Sequence, residues 1–241
     1  MSVFDATVDR YDDARPEYLA ELFDDLVALA QLEPGAHLLE IGCATGKATR
    51  PLLARGFDVT CIEAGPALAT RARELGLDVH NARFEDWEGG EFDLVFAATA
   101  WHWIDDDVKY AKARSHAPRL AFWSAFHALP EGYDPFFAET QKVYDEIGES
   151  WQGEWPPPPP DDQAGEILAS GEFDDVQVRR YLWEIEYTAS EYVALIDTFS
   201  GHIEMTDAQR ARLYGEIHRL LDGRKVRRHW GAVLHVARAI G

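Results

Sequence analysis

The chain has 241 residues, 46% of them hydrophobic, which is enough to bury a substantial core. With 43 acidic against 23 basic residues its net charge is -20, so a phosphate backbone is repelled and nucleic acid is not an expected partner. No apolar run approaches the roughly 18 to 20 residues that cross a bilayer, the N-terminus lacks a signal-peptide pattern, and two cysteines, Cys43 and Cys61, make no disulfide framework or four-cysteine zinc site. A cytosolic chain with no membrane partner and no metal is the expectation.

In chain order, Pro16 opens a helix whose stripe of Leu19, Leu22, Phe23, Leu26, Val27 and Ala30 has helical spacing, closed by Pro34-Gly35. His37 to Ile41 reads as a first strand, Gly42 to Gly46 as a turn, and the following residues through Leu53 as a helix. A second strand spans Phe57 to Ile62, and Pro66 opens a helix carrying Leu68, Ala69, Ala72 and Leu75. Strands three, four and five are expected at Leu77 to Asn81, Phe92 to Ala98 and Arg119 to Phe126. Short apolar strands alternating with helices indicate βαβ units and a parallel sheet.

The alternation breaks at residues 127 to 162, which end in Trp155 and five prolines, a stiff connector or a recognition site for a proline-binding module. A helix near Gln163 to Ala169, a strand near Val176 to Tyr187, helices over Ser190 to Phe199 and Thr206 to Leu221, and a strand over Ala232 to Ala237 complete the chain. The basic run from Arg224 to His229 is either a solvated turn or supplies a cation that faces a pocket and holds an anionic substrate.

The chemistry concentrates after the first strand, in Leu38-Leu39-Glu40-Ile41-Gly42-Cys43-Ala44-Thr45-Gly46. Glycines there remove side chains and let a ligand approach the backbone at the carboxyl end of a parallel sheet. A dinucleotide fingerprint needs glycine at 42, 44 and 47, whereas this chain has Gly42, Ala44 and Lys47. Glu63, ending the second strand, can accept hydrogen bonds from both hydroxyls of a ribose; as a plain surface acid it would cap a helix. Phe84-Glu85-Asp86-Trp87, after strand three, offers an aromatic face and a carboxylate suited to adenine.

These motifs, with Tyr11-Asp12-Asp13-Ala14-Arg15-Pro16-Glu17-Tyr18 at the start and Trp101-His102-Trp103-Ile104-Asp105 after strand four, resemble the class I S-adenosylmethionine-dependent methyltransferases over nearly the whole chain. The resemblance implies an α/β, Rossmann-like methyltransferase fold, formed as one domain over 1–241. Its seven-stranded, mostly parallel sheet has order 3-2-1-4-5-7-6 with strand seven antiparallel, helices on both faces and a helical cover. Residues 1–35 would form an N-terminal lid and helix, and 127–170 with 188–225 the insertions covering the substrate. It also implies S-adenosyl-L-methionine as cofactor. Gly42, Cys43, Ala44 and Gly46 would lie against its methionine moiety, with Glu40 orienting that region. Glu63 with Ala64 would take the ribose, Phe84 and Glu85 the adenine, and the Ala98 carbonyl the amino group. Tyr11 and Arg15 would close over the site, Arg15 pairing with a carboxylate of cofactor or acceptor or with a neighbouring acid.

The implied reaction is an in-line displacement at a sulfonium methyl, to which positioning and desolvation contribute much. No covalent nucleophile is needed, so Cys43 reads as a turn residue; a Cys43–Cys61 disulfide is the other use the spacing allows. His102 is either an acid/base or orienting group, suited by an ordinary pKa near 6.5, or a packed residue between two tryptophans. Trp101, Trp103 and Trp123 read as an aromatic wall around sulfonium and substrate, or as core. The function expected is methyl transfer to a small molecule. A cofactor-binding protein without catalysis and a nicotinamide-dependent enzyme are the alternatives. The sequence carries no mark of the acceptor or of oligomeric state.

Overall fold

Short apolar strands hydrogen-bond into one seven-stranded sheet in the computed structural model, which describes residues 12–241. The elements, in chain order, are α1 (Ala20–Ala30), β1 (His37–Ile41), α2 (Thr49–Leu53), β2 (Asp58–Glu63), α3 (Pro66–Glu74), β3 (Asp78–Asn81) and β4 (Leu94–Ala98). There follow α4 (Lys109–His116), β5 (Arg119–Ala128), α5 (Phe136–Glu146), α6 (Ala164–Ala169) and β6 (Phe173–Tyr187). The last are α7 (Ala189–Ile196), α8 (Ser200–Glu204), α9 (Asp207–Leu220) and β7 (Val226–Ala239). Single 3-10 turns at Phe84–Asp86 and Trp101–Trp103 follow β3 and β4.

The strand order is β3-β2-β1-β4-β5-β7-β6, as the resemblance implies. β1 to β5 pair in parallel, and β7 runs antiparallel between β5 and β6. Because side chains alternate across a strand, successive residues of β1 and β4 feed opposite cores. Leu38 and Phe96 join Leu22, Phe23 and Leu26 of α1, Leu52 of α2 and Ala69 of α3 on one face. Leu39, Val95 and Ala97 join Ala113 of α4 and Ile167 of α6 on the other. A third cluster lies between α5, α7, α9 and the start of β7, built on Phe136, Leu195, Leu213, Ile217 and Trp230.

Two tryptophans expected around the substrate belong instead to these cores. Trp101 is 1% exposed and stacks on Phe122 with ring centroids 5.1 Å apart; Trp123 is 0% exposed and stacks on Phe96 at 6.0 Å. Trp123 sits mid-way along β5 and Trp101 in the turn after β4, and their indoles are large apolar surfaces that pack into the cores on the two faces of the sheet, so burial wins over display.

The cover over the sheet edge is fixed by two capping boxes. Thr188 and Glu191 start α7, and Thr206 and Gln209 start α9, each pair exchanging side-chain and backbone hydrogen bonds. Thr188→Ala removes the cap of the helix that leads to the cavity. It is expected to lower stability by about 1 kcal/mol, read as a lower urea midpoint with an unchanged slope.

Candidate functional site

Because the strands of a parallel sheet all end on one edge, and the order reverses between β1 and β4, the turns after these strands diverge and leave a crevice. A cavity of about 750 Å³ occupies it, and a smaller one of about 50 Å³ adjoins it over the turn after β1. Gly42, Ala44, Ala98, Thr99, Arg15 and Trp230 line both.

The turn is built around a left-handed backbone. Gly42 has φ +72° and lies so near Ala100 that a Cβ would meet that side chain at 2.6 Å. Ala44, in the place of the pattern's middle glycine, also has positive φ, at 47°. Such a conformation costs an L-residue about 1–2 kcal/mol, and a fixed acceptor holds it here. Glu63 Oε2 accepts from the Ala44 amide at 3.0 Å, and Oε1 from the Gly65 amide at 2.7 Å. The β1–β2 register, with Ile41 opposite Ile62, brings Gly42 beside Glu63. Ionised carboxylate oxygens accept more than one hydrogen bond each, so these bonds leave room for ribose hydroxyls on the cavity side.

Gly46, in the same turn, is not among the residues lining either cavity; its φ is +88° and a Cβ there would sit 2.3 Å from Leu77 Cδ1, so turn packing alone requires glycine at this position. Cys43 lines the smaller cavity, but contact with Cys61 and burial push its thiol well above the ordinary range. Both cysteines are free thiols, not a disulfide.

Glu40 lines the smaller cavity, is 1% exposed and accepts from Thr49 Oγ1 at 2.5 Å. Burial pushes its carboxyl up to about 8, above a normal 4.5; the Thr49 bond opposes this and the nearby Glu63 adds to it. At the other end of the large cavity, Ala64, Phe84 and Glu85 stand beyond Glu63. Arg83 Nη2 donates to Glu85 Oε1 at 2.8 Å. Burial raises the Glu85 carboxyl, but hydrogen bonds, including those from Arg83 and the Asp105 amide, together bring it below its normal value.

The N-terminal segment closes over the turn. Tyr11 lies outside the described residues, but the next residue, Asp12, accepts from Thr45 Oγ1 at 2.9 Å and from Arg50 Nη2 at 3.1 Å. Lys47 Nζ donates to Glu17 at 2.7 Å. Burial works against the charged Asp12, yet its Thr45 and Arg50 bonds, with the Lys47 charge, hold its carboxyl below the ordinary value. Arg15 reaches across to the cover: Nε donates to Thr198 Oγ1 at 2.8 Å, Nη2 to the Thr198 carbonyl at 3.0 Å, and the guanidinium lies 4.4 Å from the Phe199 ring centroid. Tyr18 packs edge-on against Trp123, and its hydroxyl is 3.1 Å from Thr99 Oγ1. Thr99, just after β4, has a positive φ of 57°, held by its amide bond to the Trp123 carbonyl at 2.6 Å.

His102 and Trp103 line the large cavity, Trp103 being 58% exposed. The His102 ring rests 4.9 Å from that of Trp103 and has no hydrogen-bond partner among the described residues. Burial, with Lys109 nearby, lowers its pKa, which keeps the imidazole neutral near pH 7 and able to accept a proton. The same cavity is lined by residues the sequence did not assign individually: Phe126 and His127 near the end of β5, Phe199 and Ser200 at the start of α8, and Arg228 and Trp230 of β7. Their one signal was the basic run before the last strand.

The sheet order and the crevice at its switch point are those of the class I methyltransferase fold. Residues 39–115 match the methyltransferase domain family. An uncharacterized methyltransferase of Mycobacterium tuberculosis (strain ATCC 25618 / H37Rv) is 31% identical over 116 residues, 42% of this chain and 42% of the relative. The chain thus spans less than half the length of that relative. A trans-aconitate 2-methyltransferase of Mycobacterium tuberculosis (strain ATCC 25177 / H37Ra) is 29% identical over 87 residues, 35% of this chain and 33% of that protein. Among solved structures, a candidate type II methyltransferase from Anaeromyxobacter dehalogenans superposes with a TM-score of 0.60 at 22% identity, covering 93% of this chain and 97% of that one. Haemonchus contortus phosphoethanolamine N-methyltransferase 2, in complex with S-adenosyl-L-methionine, gives 0.54 at 15% identity, covering 97% of this chain and 57% of that one. At these identities the likeness is one of fold.

Glu40 gives a pH prediction. Between its unfolded value of 4.5 and its folded value of about 8 only the folded chain holds the proton, so this group lowers stability as pH rises through that window. The slope is at most about 1.4 kcal/mol per pH unit. Glu40→Gln removes this contribution. The variant-minus-parent difference in unfolding free energy is expected to grow from pH 5 to pH 8, and a constant difference would show that Glu40 ionises normally.

Proposed function

We propose that the chain binds S-adenosyl-L-methionine along the edge formed by β1, β2 and β4 and transfers its methyl group to a small molecule. What carries this reading is one continuous hollow with an acidic, glycine-turned end and an aromatic, histidine-bearing end, joined at Gly42, Ala44, Ala98 and Thr99. Supporting it are the match of residues 39–115 to the methyltransferase domain family and a relative named for trans-aconitate, a small molecule.

The cofactor residues fit. Glu63 presents carboxylate oxygens to the ribose, and Phe84 with Glu85 borders the adenine. Glu40 waits at the methionine end, and an incoming ammonium would favour its charged form. The departure of the glycine pattern at Ala44 is accommodated by its left-handed backbone. Bound there, the cofactor supplies a methyl on a sulfonium, an activated leaving group. The protein then supplies alignment and a water-poor passage. His102 accepts the proton where the acceptor is a hydroxyl or an amine; a carboxylate acceptor needs no base. A surface of charge -20 favours a small-molecule partner over nucleic acid. No helix among the described residues is long and apolar enough to cross a membrane. The free thiols fit a reducing compartment, and we assign the chain to the cytosol.

S-adenosylhomocysteine is expected to raise the melting temperature and NAD to leave it unchanged; the reverse pattern would overturn the reading. Labelled cofactor incubated with a metabolite extract is expected to give a labelled small product, whereas tight binding without product identifies a binding protein. Glu63→Gln makes the acceptor neutral for both backbone amides and puts an NH2 donor in place of one oxygen, leaving one of the two amides without an acceptor. It is expected to weaken S-adenosylhomocysteine binding about tenfold or more, measured by calorimetry on protein whose circular dichroism is unchanged. His102→Phe is expected to keep that affinity while slowing turnover of hydroxyl or amine acceptors by about 10²-fold or more.

A further inference from the structure

The basic run that opens β7 divides by strand period. Val226, Arg228 and Trp230 are buried, while Arg227 is exposed and His229 partly exposed on the alternate face. The other arginines and the histidine of the run meet acids. Arg224 lies 2.9 Å from Asp134, Arg227 3.7 Å from Glu186 and 3.8 Å from Glu184, and His229 3.5 Å from Glu184.

Arg228 does not. It is 4% exposed, and among the described residues it has no carboxylate within ion-pair distance, in a chain with 43 acidic residues. Nη1 donates to the Tyr192 hydroxyl at 3.3 Å, and Nε is buried without a partner. Ring faces surround the guanidinium instead, with centroids at 4.4 Å for Trp230, 5.6 Å for Phe199 and 5.9 Å for Tyr192. Aromatic faces attract a cation but do not neutralise it, and a guanidinium cannot shed its proton to escape burial. A second unsatisfied group stands on the same wall: His127 Nε2 is buried without a hydrogen-bond partner. Burial, with the charges of Arg228 and His229 beside it, pushes this imidazole down to about 2, so it is neutral and adds no second charge.

We propose that the end of the large cavity at Arg228 is a carboxylate subsite, and that the methyl acceptor is an anionic small molecule whose carboxylate binds this guanidinium while its remainder lies toward His102 and Trp103. The inference rests on the methyltransferase reading for the word acceptor, but the subsite itself follows from Arg228. One unpaired cation and one neutral imidazole match a singly charged, planar, two-oxygen group, which the guanidinium fork receives through parallel hydrogen bonds. A phosphate dianion would ask for further positive charge. Arg15, on the same cavity, is already committed to Thr198. The anion completes a cluster that the folded chain leaves charged and partly unsatisfied. The aromatic walls around it suit an apolar body on the ligand.

Phenylacetate and its neutral analogue phenylacetamide are titrated by calorimetry into the protein, with and without saturating S-adenosylhomocysteine. Phenylacetate is expected to bind about tenfold or more tightly than the amide. Arg228→Met is expected to abolish that preference while leaving S-adenosylhomocysteine affinity within about twofold, since β1, β4 and β5 lie between the strand of Arg228 and that of Glu63. Arg228→Gln, which keeps a polar group of similar reach, is expected to do the same should the methionine variant not fold. Equal affinities in the parent overturn the inference without any variant, and so does a preference that survives either substitution. A parent that binds S-adenosylhomocysteine but shows no carboxylate preference sinks only the subsite. One that prefers carboxylate but ignores S-adenosylhomocysteine sinks the methyltransferase reading and leaves the subsite standing.

Discussion

The Glu63 carboxylate, bonded to the amides of Ala44 and Gly65, is the joint on which the site depends. It ties the turn after β1 to the turn after β2, so two loops that would otherwise move independently share one buried anion. The left-handed Ala44 is affordable because its N–H has a charged acceptor at 3.0 Å, and charge-assisted bonds are about twice as strong as neutral ones. The residue we propose for the ribose hydroxyls therefore also shapes the loop beside it.

That joint has an electrostatic consequence for its neighbour. A buried carboxyl near another carboxylate ionises less readily. Glu63 is bonded to two backbone amides, and Glu40, with the Thr49 hydroxyl as its hydrogen-bond partner, is pushed up to about 8 by burial, to which the nearby Glu63 adds. The smaller cavity thus holds a carboxyl with a reserve proton, and the larger one that adjoins it holds the guanidinium of Arg228. A ligand that is cationic at one end and sits near an anion at the other meets each charge with its complement.

The sequence made the parallel half of the sheet legible because most of its strands are short apolar runs, β1 stopped by Gly42 and β2 ending in Glu63. His37 to Ile41 is found with the bounds expected, and Glu63 falls at the end of β2. The strand order came from the resemblance, not from periodicity. Where propensity was weak the reading failed. α4 is rich in Lys, Arg and His and has no apolar stripe, so it was missed, as was α5 inside the aromatic, acidic stretch. β7 begins six residues before the expected Ala232, at Val226, because charged residues on one face of a strand resemble a turn when read without the partner strands. The tryptophans misled for a related reason. Trp101 and Trp103 are two positions apart, yet one stacks in the core and the other lies open to the cavity, and nothing local in the sequence separates them.

The direction of β7 explains how a basic run came to serve the site at all. In a parallel sheet the ligand edge is where strands end, so the residues that begin a strand sit on the opposite side of the molecule. β7 is antiparallel to β5, pairing His127 with Trp230 and Phe126 with Gly231, so its beginning, not its end, lies at the ligand edge. Gly231 permits the close pairing, since a Cβ there would meet the Phe126 ring at 2.2 Å. Two residues earlier, and one strand period inward from Trp230, Arg228 then points the same way as that indole, into the cavity they share. Were β7 parallel, the same six residues would lie about the strand's length away, on the order of 40 Å, among groups that never face the cofactor. Reversal of a single strand thus converts a charged strand start, which composition alone marks as surface, into the wall opposite His102.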